Sequence, residues 1–184
     1  MNRPDAPRRA PLDLRGIPPE RVTQPARAAF VWFSIVFAWL ISLLPWRVWE
    51  GAPDVLLLTL AFWCVRQPNR VGFLTAFVLG LLMDVHDSGL FGEMALRYVL
   101  VAYGATALHR RLQRFDLLGQ ALHLAPVFFA AGLVTTLLHA WLALSWPGWD
   151  WALGAVLTAA LYPILGWVLQ LSFRGDHDGN NAAA

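Results

Sequence analysis

The sequence predicts an all-α fold, that of a polytopic integral membrane protein with six transmembrane helices and both termini in the cytoplasm. Of the 184 residues, 58% are hydrophobic and only 14% are charged, whereas soluble domains average about 25% charged residues. The hydrophobic residues come in long runs separated by short polar stretches, which is typical of helical membrane proteins. The placement of the arginines then indicates the number of membrane crossings.

The chain begins with a polar segment that leads into a first apolar run. Residues 1–27 hold six prolines and six arginines but no aromatic residue. This segment cannot bury a core, so it is predicted to be a disordered cytoplasmic tail. The apolar run 28–46 corresponds to about 28 Å of helix and ends without a signal-peptide cleavage site. We therefore expect a retained membrane-spanning helix there.

Five further apolar segments complete a predicted transmembrane domain over residues 28–173. These segments are approximately 53–65, 71–85, 90–108, 122–146 and 149–173. The second and third helices would be only about 19 and 22 Å long, and a tight turn joins them, so we expect a helical hairpin. Gly72, Ala76 and Gly80 follow one another at four-residue spacing, which predicts close backbone approach along the third helix. Residues 174–184 are predicted to be a disordered cytoplasmic tail.

The basic residues are all arginine, and their distribution favours six crossings. With six spans and residues 1–27 in the cytoplasm, twelve of the 14 arginines lie on the cytoplasmic side, in agreement with the positive-inside rule. Only Arg47 and Arg97 fall on the outer side. With five spans, the arginines at 110–114 and the tail at 1–27 would lie on opposite sides of the membrane, against the positive-inside rule. The sequence pI of about 9.2 thus reflects membrane topology, and no nucleic-acid partner is predicted.

One charged stretch, "GLLMDVHDSGLFGEMALRYVLVAY" at residues 80–103, interrupts the apolar sequence. At 1.5 Å per residue, Asp84 would lie about 21 Å from the cytoplasmic Arg70, close to the outer surface. An unpaired charge inside a membrane is costly, so we expect Arg97 to pair with Glu93, Asp84 or both. The candidates for an outer charge network that a partner could contact are Asp54, Asp84, Asp87, Gly89, Glu93 and Arg97.

Three other roles for these charges have weaker support. A metal site is disfavoured because positions two apart on a helix point in different directions, and no histidine follows His86 by four residues. For an enzyme, no nucleophile motif or glycine-rich phosphate loop accompanies the carboxylates. Transporter sites usually lie at the membrane midplane rather than near its surface. We therefore predict no catalytic residue, no metal and no cofactor, and we interpret the charges as fixing the packing of helices two to four.

Two further side chains carry predictions of their own. The single cysteine, Cys64, excludes an internal disulfide and a multi-cysteine metal site. Its apolar surroundings in the sequence predict a buried, inert thiol. His139 lies near Thr135 and Thr136 on the fifth helix, and we expect it to form an interhelical hydrogen bond.

The stretch "PDVLLLTLAFWCVRQPNRVGFLTAFVLGLLMDVHDSGLFGEMALRYVLVAY" resembles the core of MreD, the family of bacterial rod shape-determining membrane proteins. The resemblance is carried by an ordered set of motifs and extends more weakly over 28–173. The motifs are Pro53-Asp54, "P-x-x-V-G" from Pro68 to Gly72, "LGLLMD" ending at Asp84, "G-x-x-G" at Gly89 and Gly92, and "AL-x-Y" at Ala95, Leu96 and Tyr98. "LGLLMDVHDSGLFG" resembles the beta-proteobacterial version. Two features depart from the family pattern: the longer N-terminal tail, and Arg97 where an apolar residue is expected.

This resemblance implies a non-enzymatic scaffold of the bacterial inner membrane that regulates cell shape. It implies binding to MreC and a place with MreB, RodA and a class B penicillin-binding protein in lateral peptidoglycan synthesis. The expected docking residues are the outer charges listed above, and membrane lipids are expected as surroundings. The family fold also resembles the substrate-binding S components of energy-coupling-factor vitamin transporters. The alternative function is therefore a small-molecule binding or transport subunit.

Overall fold

The computed structural model describes residues 28–44, 51–87, 90–146 and 148–181, of which 172–181 are described by their backbone alone. Within these ranges the chain is helical apart from its turns, and the all-α prediction is confirmed. The helices are α1 (Ala28–Ser42), α2 (Val55–Arg66), α3 (Phe73–Asp87), α4 (Glu93–Leu112), α5 (Leu117–Ala143) and α6 (Asp150–Asn181).

Each predicted apolar segment overlaps one helix, but several helix ends differ from the prediction. The ends of α1 to α3 differ by a few residues. α4 continues to Leu112 rather than 108, because the basic side chains of its last turn interact favourably with the helix dipole. α5 begins at Leu117 rather than 122, because the Asp116 carboxylate caps it by accepting the Gly119 N–H at 3.1 Å. α6 continues to Asn181, past 173 and through most of the segment predicted to be disordered.

The helices differ in how well their length and composition suit a membrane crossing. In the part of the chain that the structure describes, two apolar stretches are long enough to cross a bilayer, Leu117–Ala143 in α5 and Asp150–Leu171 in α6. α1 and α2 are also apolar, but they are shorter.

The short helix α2 lies at the centre of the bundle. All its residues from 56 to 65 are buried, and it packs against α1, α4 and α6, as expected for a helix that is apolar on every side. Cys64 is buried as predicted. α3 packs chiefly against α4 and leaves Leu74 and Val85 exposed on its other face. The predicted hairpin of α2 and α3 therefore does not form as a packed pair, because Gly80 of α3 packs against α4 instead.

Polar side chains mark two ends of the bundle. The acidic end comprises the start of α2, the end of α3 and the start of α4, with Asp54, Asp84 and Glu93. The basic end comprises the end of α2, the end of α4 and the start of α5, with Arg66 and Arg110. The candidate residues predicted from the sequence belong to the acidic end.

Candidate functional site

Asp84 is a helix cap supplied by a neighbouring helix. It lies near the end of α3, is only 4% exposed, and accepts three backbone N–H groups from the start of α4. Its Oδ1 accepts the N–H of Met94 at 2.7 Å, and its Oδ2 accepts those of Gly92 at 3.0 Å and Ala95 at 3.1 Å. The first N–H groups of a helix have no partner within the helix. Asp84 thus satisfies donors that the local N-cap, Gly92, cannot satisfy because it has no side chain.

Two glycines allow α3 and α4 to meet in this way. Gly92 has φ of 96°, a left-handed conformation that favours glycine. Gly80 packs directly on α4, since a Cβ placed on it would lie 2.4 Å from the Cα of Ala95. Of the small residues predicted to allow close approach, Gly80 does so, whereas Gly72 has ordinary space around it, with 3.9 Å to the nearest atom. The motif from Gly80 to Ala95 therefore encodes one tightly packed helical hairpin.

Asp54 joins three helices at the same end. Its Oδ1 caps α2 by accepting the N–H of Leu57 at 3.0 Å, and its Oδ2 accepts the hydroxyl of Tyr98, on α4, at 2.8 Å. Its own backbone N–H donates to the Thr158 hydroxyl, on α6, at 3.3 Å. All three partners and Asp54 are buried. Asp54 therefore fixes the start of α2 against α4 and α6.

A second polar link joins α4 to α5. The Nδ1 of His139 and the Oε2 of Glu93 lie 2.9 Å apart, with both side chains partly exposed. The prediction that His139 forms an interhelical hydrogen bond is confirmed. At the end of α3, the Nδ1 of His86 lies 2.9 Å from the Oδ1 of Asp87, and both residues are exposed.

Arg97 makes neither of the two predicted ion pairs. Asp84 bonds to backbone groups and Glu93 bonds to His139. The Arg97 Nε is buried and has no hydrogen-bond partner among the described residues. Its guanidinium lies beside Gly132 of α5, with Nη2 3.8 Å from where a Cβ would stand. The prediction was wrong because the two acids are bonded to groups that are closer to them in the folded chain.

The structure thus brings five of the six predicted residues to the acidic end but divides them among separate contacts. Asp54 and Asp84 are buried, Glu93 and Arg97 are partly exposed, and Asp87 is exposed. Gly89 lies outside the described residues. Sequence reasoning missed the roles of Tyr98 and Thr158, although Tyr98 stood in the "AL-x-Y" motif. Within the described part of the chain, no three His, Cys, Asp or Glu side chains could hold a metal ion together.

Comparison with known proteins identifies the family. The model of the family "rod shape-determining protein MreD" matches residues 26–172. The chain belongs to the MreD family. The rod shape-determining protein MreD of Haemophilus influenzae is 30% identical over 146 residues, which cover 76% of this chain and 88% of that protein. No solved structure matches the chain.

Membership of the MreD family gives this chain a role in rod-shape determination. MreD is a family of membrane proteins that determine shape and is not known as an enzyme family. A role in a rod-shape complex suggests interaction with other shape proteins. Three of the motifs that carry the family resemblance contribute the caps and close contacts described above: Pro53-Asp54, "LGLLMD" with Gly80 and Asp84, and "AL-x-Y" with Tyr98.

Proposed function

We propose that this MreD-family chain is a non-enzymatic scaffold that crosses the bacterial inner membrane six times and docks MreC at its acidic end. Through that contact it supports lateral peptidoglycan synthesis, in a complex with RodA, a class B penicillin-binding protein and MreB. Both termini lie in the cytoplasm, the acidic end faces the periplasm and the basic end faces the cytoplasm. The likeness to vitamin-transporter S components stays a prediction.

The charge distribution supports this orientation. The arginines at the basic end are Arg66, Arg70, Arg110, Arg111 and Arg114, and cytoplasmic loops of membrane proteins are enriched in arginine and lysine. α2 alone is only about 18 Å long, shorter than the hydrocarbon core of about 30 Å. Its burial among α1, α4 and α6 supports an arrangement in which those longer helices, rather than α2, face the lipid.

The observation that carries the docking proposal is an exposed rim on a rigid support. The rim is formed by Val85, His86, Asp87 and Phe91. Val85 is 66% exposed and Phe91 is 72% exposed, and both belong to the hairpin whose geometry Asp84 fixes with three hydrogen bonds. Apolar side chains beside polar ones on a preorganised surface are typical of protein contacts.

The predicted docking residues take different parts in this proposal. Asp87 contacts the partner directly as a member of the rim, and Gly89 belongs to the same turn in the sequence. Asp54, Asp84, Glu93 and Arg97 hold the helices beneath the rim, so they act on docking through the shape of the surface.

Co-purification tests the proposed function. The full chain carries a C-terminal tag, native membranes are solubilised in a mild detergent, and the bound proteins are identified and quantified by mass spectrometry. We expect MreC in stoichiometric amount, with RodA and its transpeptidase in smaller amounts. Recovery of transport ATPase subunits, or of the chain alone with a tightly held small molecule, would contradict the scaffold and favour the transport alternative.

A further inference from the structure

A cavity of about 440 Å³ opens at the basic end, far from the rim. It lies between the end of α2, the start of α5 and the last apolar turns of α6. Its lining includes Arg66, Asp116, Leu117, Leu118, Gln120 and Gln170. A volume of this size is within the range of small-molecule sites, roughly 300–1,000 Å³.

Two of the polar groups in this lining are already bonded within the chain. The Gln120 amide oxygen accepts the Tyr162 hydroxyl at 3.2 Å, and its nitrogen donates to the Phe115 carbonyl at 3.1 Å. The Asp116 carboxylate accepts the N–H of Gly119 at 3.1 Å as the cap of α5. These contacts build the wall of the cavity and leave Gln120 little capacity for a ligand.

The other two polar groups keep free hydrogen-bonding capacity. Arg66 is partly buried, and its guanidinium carbon lies 5.1 Å from the centre of the Phe62 ring. Among the described residues, neither Arg66 nor Gln170 has a hydrogen bond or an ion pair. Arg66 is thus a positive group held in place by an aromatic ring, with its N–H donors available at the cavity.

The shape and charge of this cavity fit a phosphate attached to an apolar chain. Guanidinium groups bind phosphate oxygens in a bidentate manner, and the Gln170 amide adds a donor. Leu117 and Leu118 supply apolar walls, and Leu118 is 67% exposed at the surface. Two exposed arginines near the end of α4, Arg110 and Arg111, add positive potential that outweighs the single Asp116 carboxylate.

We propose that this cavity binds the headgroup of an anionic phospholipid of the cytoplasmic leaflet, with the phosphate on Arg66 and Gln170 and the acyl chains along the leucines. The inference rests on the proposed topology, which places the basic end at the leaflet that carries anionic lipids. It does not depend on MreC docking at the opposite end, so a failure of docking would leave the lipid site standing, whereas the reverse topology would contradict both proposals.

Native mass spectrometry of the purified full chain tests this site. The protein is equilibrated with mixed vesicles of phosphatidylglycerol and phosphatidylcholine, and the lipid retained on the protein is counted. We expect the wild type to retain phosphatidylglycerol in preference to phosphatidylcholine. Arg66→Gln should lower this retention about tenfold, a change of about 1.4 kcal/mol. The matched control Arg114→Gln, an exposed arginine at the same end, should change it less than about twofold, as expected for a screened surface charge.

A second variant and a competition arm complete the test. Gln170→Ala should also lower retention, and it replaces Arg66→Gln if that variant does not fold in detergent. Inorganic phosphate at high concentration should not displace the lipid, because the apolar walls hold the acyl chains. Equal loss in the Arg66 and Arg114 variants, retention without preference for phosphatidylglycerol, or displacement by inorganic phosphate would each overturn the lipid site; the last would indicate a soluble phosphate ligand.

Discussion

At the scale of single residues, the two aspartates of the family motifs are bonded within the chain rather than presented to a partner. Asp84 accepts three N–H groups at the start of α4, and Asp54 bonds to Leu57, Tyr98 and Thr158. Both are 4% exposed. Their carboxylates therefore act on the surface indirectly, by fixing where the helices begin.

Replacing Asp84 should lower the free energy of unfolding. Asp84→Ala removes the acceptor of three N–H groups, of which that of Ala95 is buried and those of Gly92 and Met94 are partly buried. We expect a loss of roughly 2–4 kcal/mol, the sum of a lost cap and of desolvated donors. Thermal unfolding in detergent and the amount of protein in the membrane measure this loss. Asp87→Ala, at an exposed position three residues on, is the control and should lower stability by less than about 1 kcal/mol, because its contact with His86 is exposed. An unchanged unfolding temperature for Asp84→Ala would rule out the capping role.

The Tyr98 hydroxyl should also contribute to stability. Tyr98→Phe removes the donor to the buried Asp54 carboxylate at 2.8 Å and should lower stability by roughly 1–3 kcal/mol. Tyr103→Phe is the matched control on the same helix, since Tyr103 is 64% exposed. Chemical or thermal unfolding of the two variants in the same detergent provides the comparison, and equal effects would contradict a specific bond to Asp54.

At the scale of helices, the α3–α4 hairpin depends on the absence of a side chain at Gly80. Gly80→Ala would place a methyl group 2.4 Å from the Ala95 Cα. We expect the helices to move apart and stability to fall by roughly 1–3 kcal/mol or more, as in other overpacked contacts. Gly72→Ala, with 3.9 Å to its nearest neighbour, should have little effect. The test compares the membrane abundance and the unfolding temperature of the Gly80→Ala and Gly72→Ala variants. Similar values for both variants would contradict close packing at Gly80.

The helices could be predicted from the sequence more readily than their contacts. Runs of apolar residues located all six, because a run of that length has few other stable forms in a membrane protein. The predicted end of α4 and the predicted start of α5 differ from those observed. The basic last turn of α4 and the capping of α5 by Asp116 are local effects that a hydropathy pattern does not show. α3 packs against α4 rather than α2 because Gly80, which has no side chain, lies on the face of α3 that contacts α4. In the sequence, Gly80 was the one residue that indicated this contact.

The partners of the charged residues were harder to predict than the helices. The sequence located Asp54, Asp84 and Glu93 at one end of the molecule, but it could not choose among partners. A sequence motif describes side chains only. The hydrogen bond from the Met94 backbone N–H to Asp84 could therefore not be predicted from it. Glu93 and His139 are 46 positions apart in the sequence. The sequence therefore favoured Arg97, four residues from Glu93, as its partner, and that prediction was wrong.

At the scale of the whole molecule, the proposed topology places the two ends of the bundle on opposite sides of the membrane. In a Cys64→Ala background, which removes the only native cysteine, single cysteines at positions 87 and 114 report on this. A membrane-impermeant maleimide should label Asp87→Cys in intact spheroplasts and Arg114→Cys only after lysis. Labelling of both in intact cells, or of Arg114→Cys alone, would contradict six spans with cytoplasmic termini.

In the proposed complex, the rim at the acidic end docks MreC on a surface that the buried aspartates hold rigid. The most direct measurement is the amount of MreC recovered with the tagged chain from native membranes when the rim is altered. Phe91→Ala should lower MreC recovery at least about fivefold, as loss of an interface anchor does, with unchanged membrane abundance. Leu74→Ala, an equally exposed apolar residue (76% exposed) near the other end of α3, should leave recovery unchanged. Equal MreC recovery with the two variants would contradict docking at the rim.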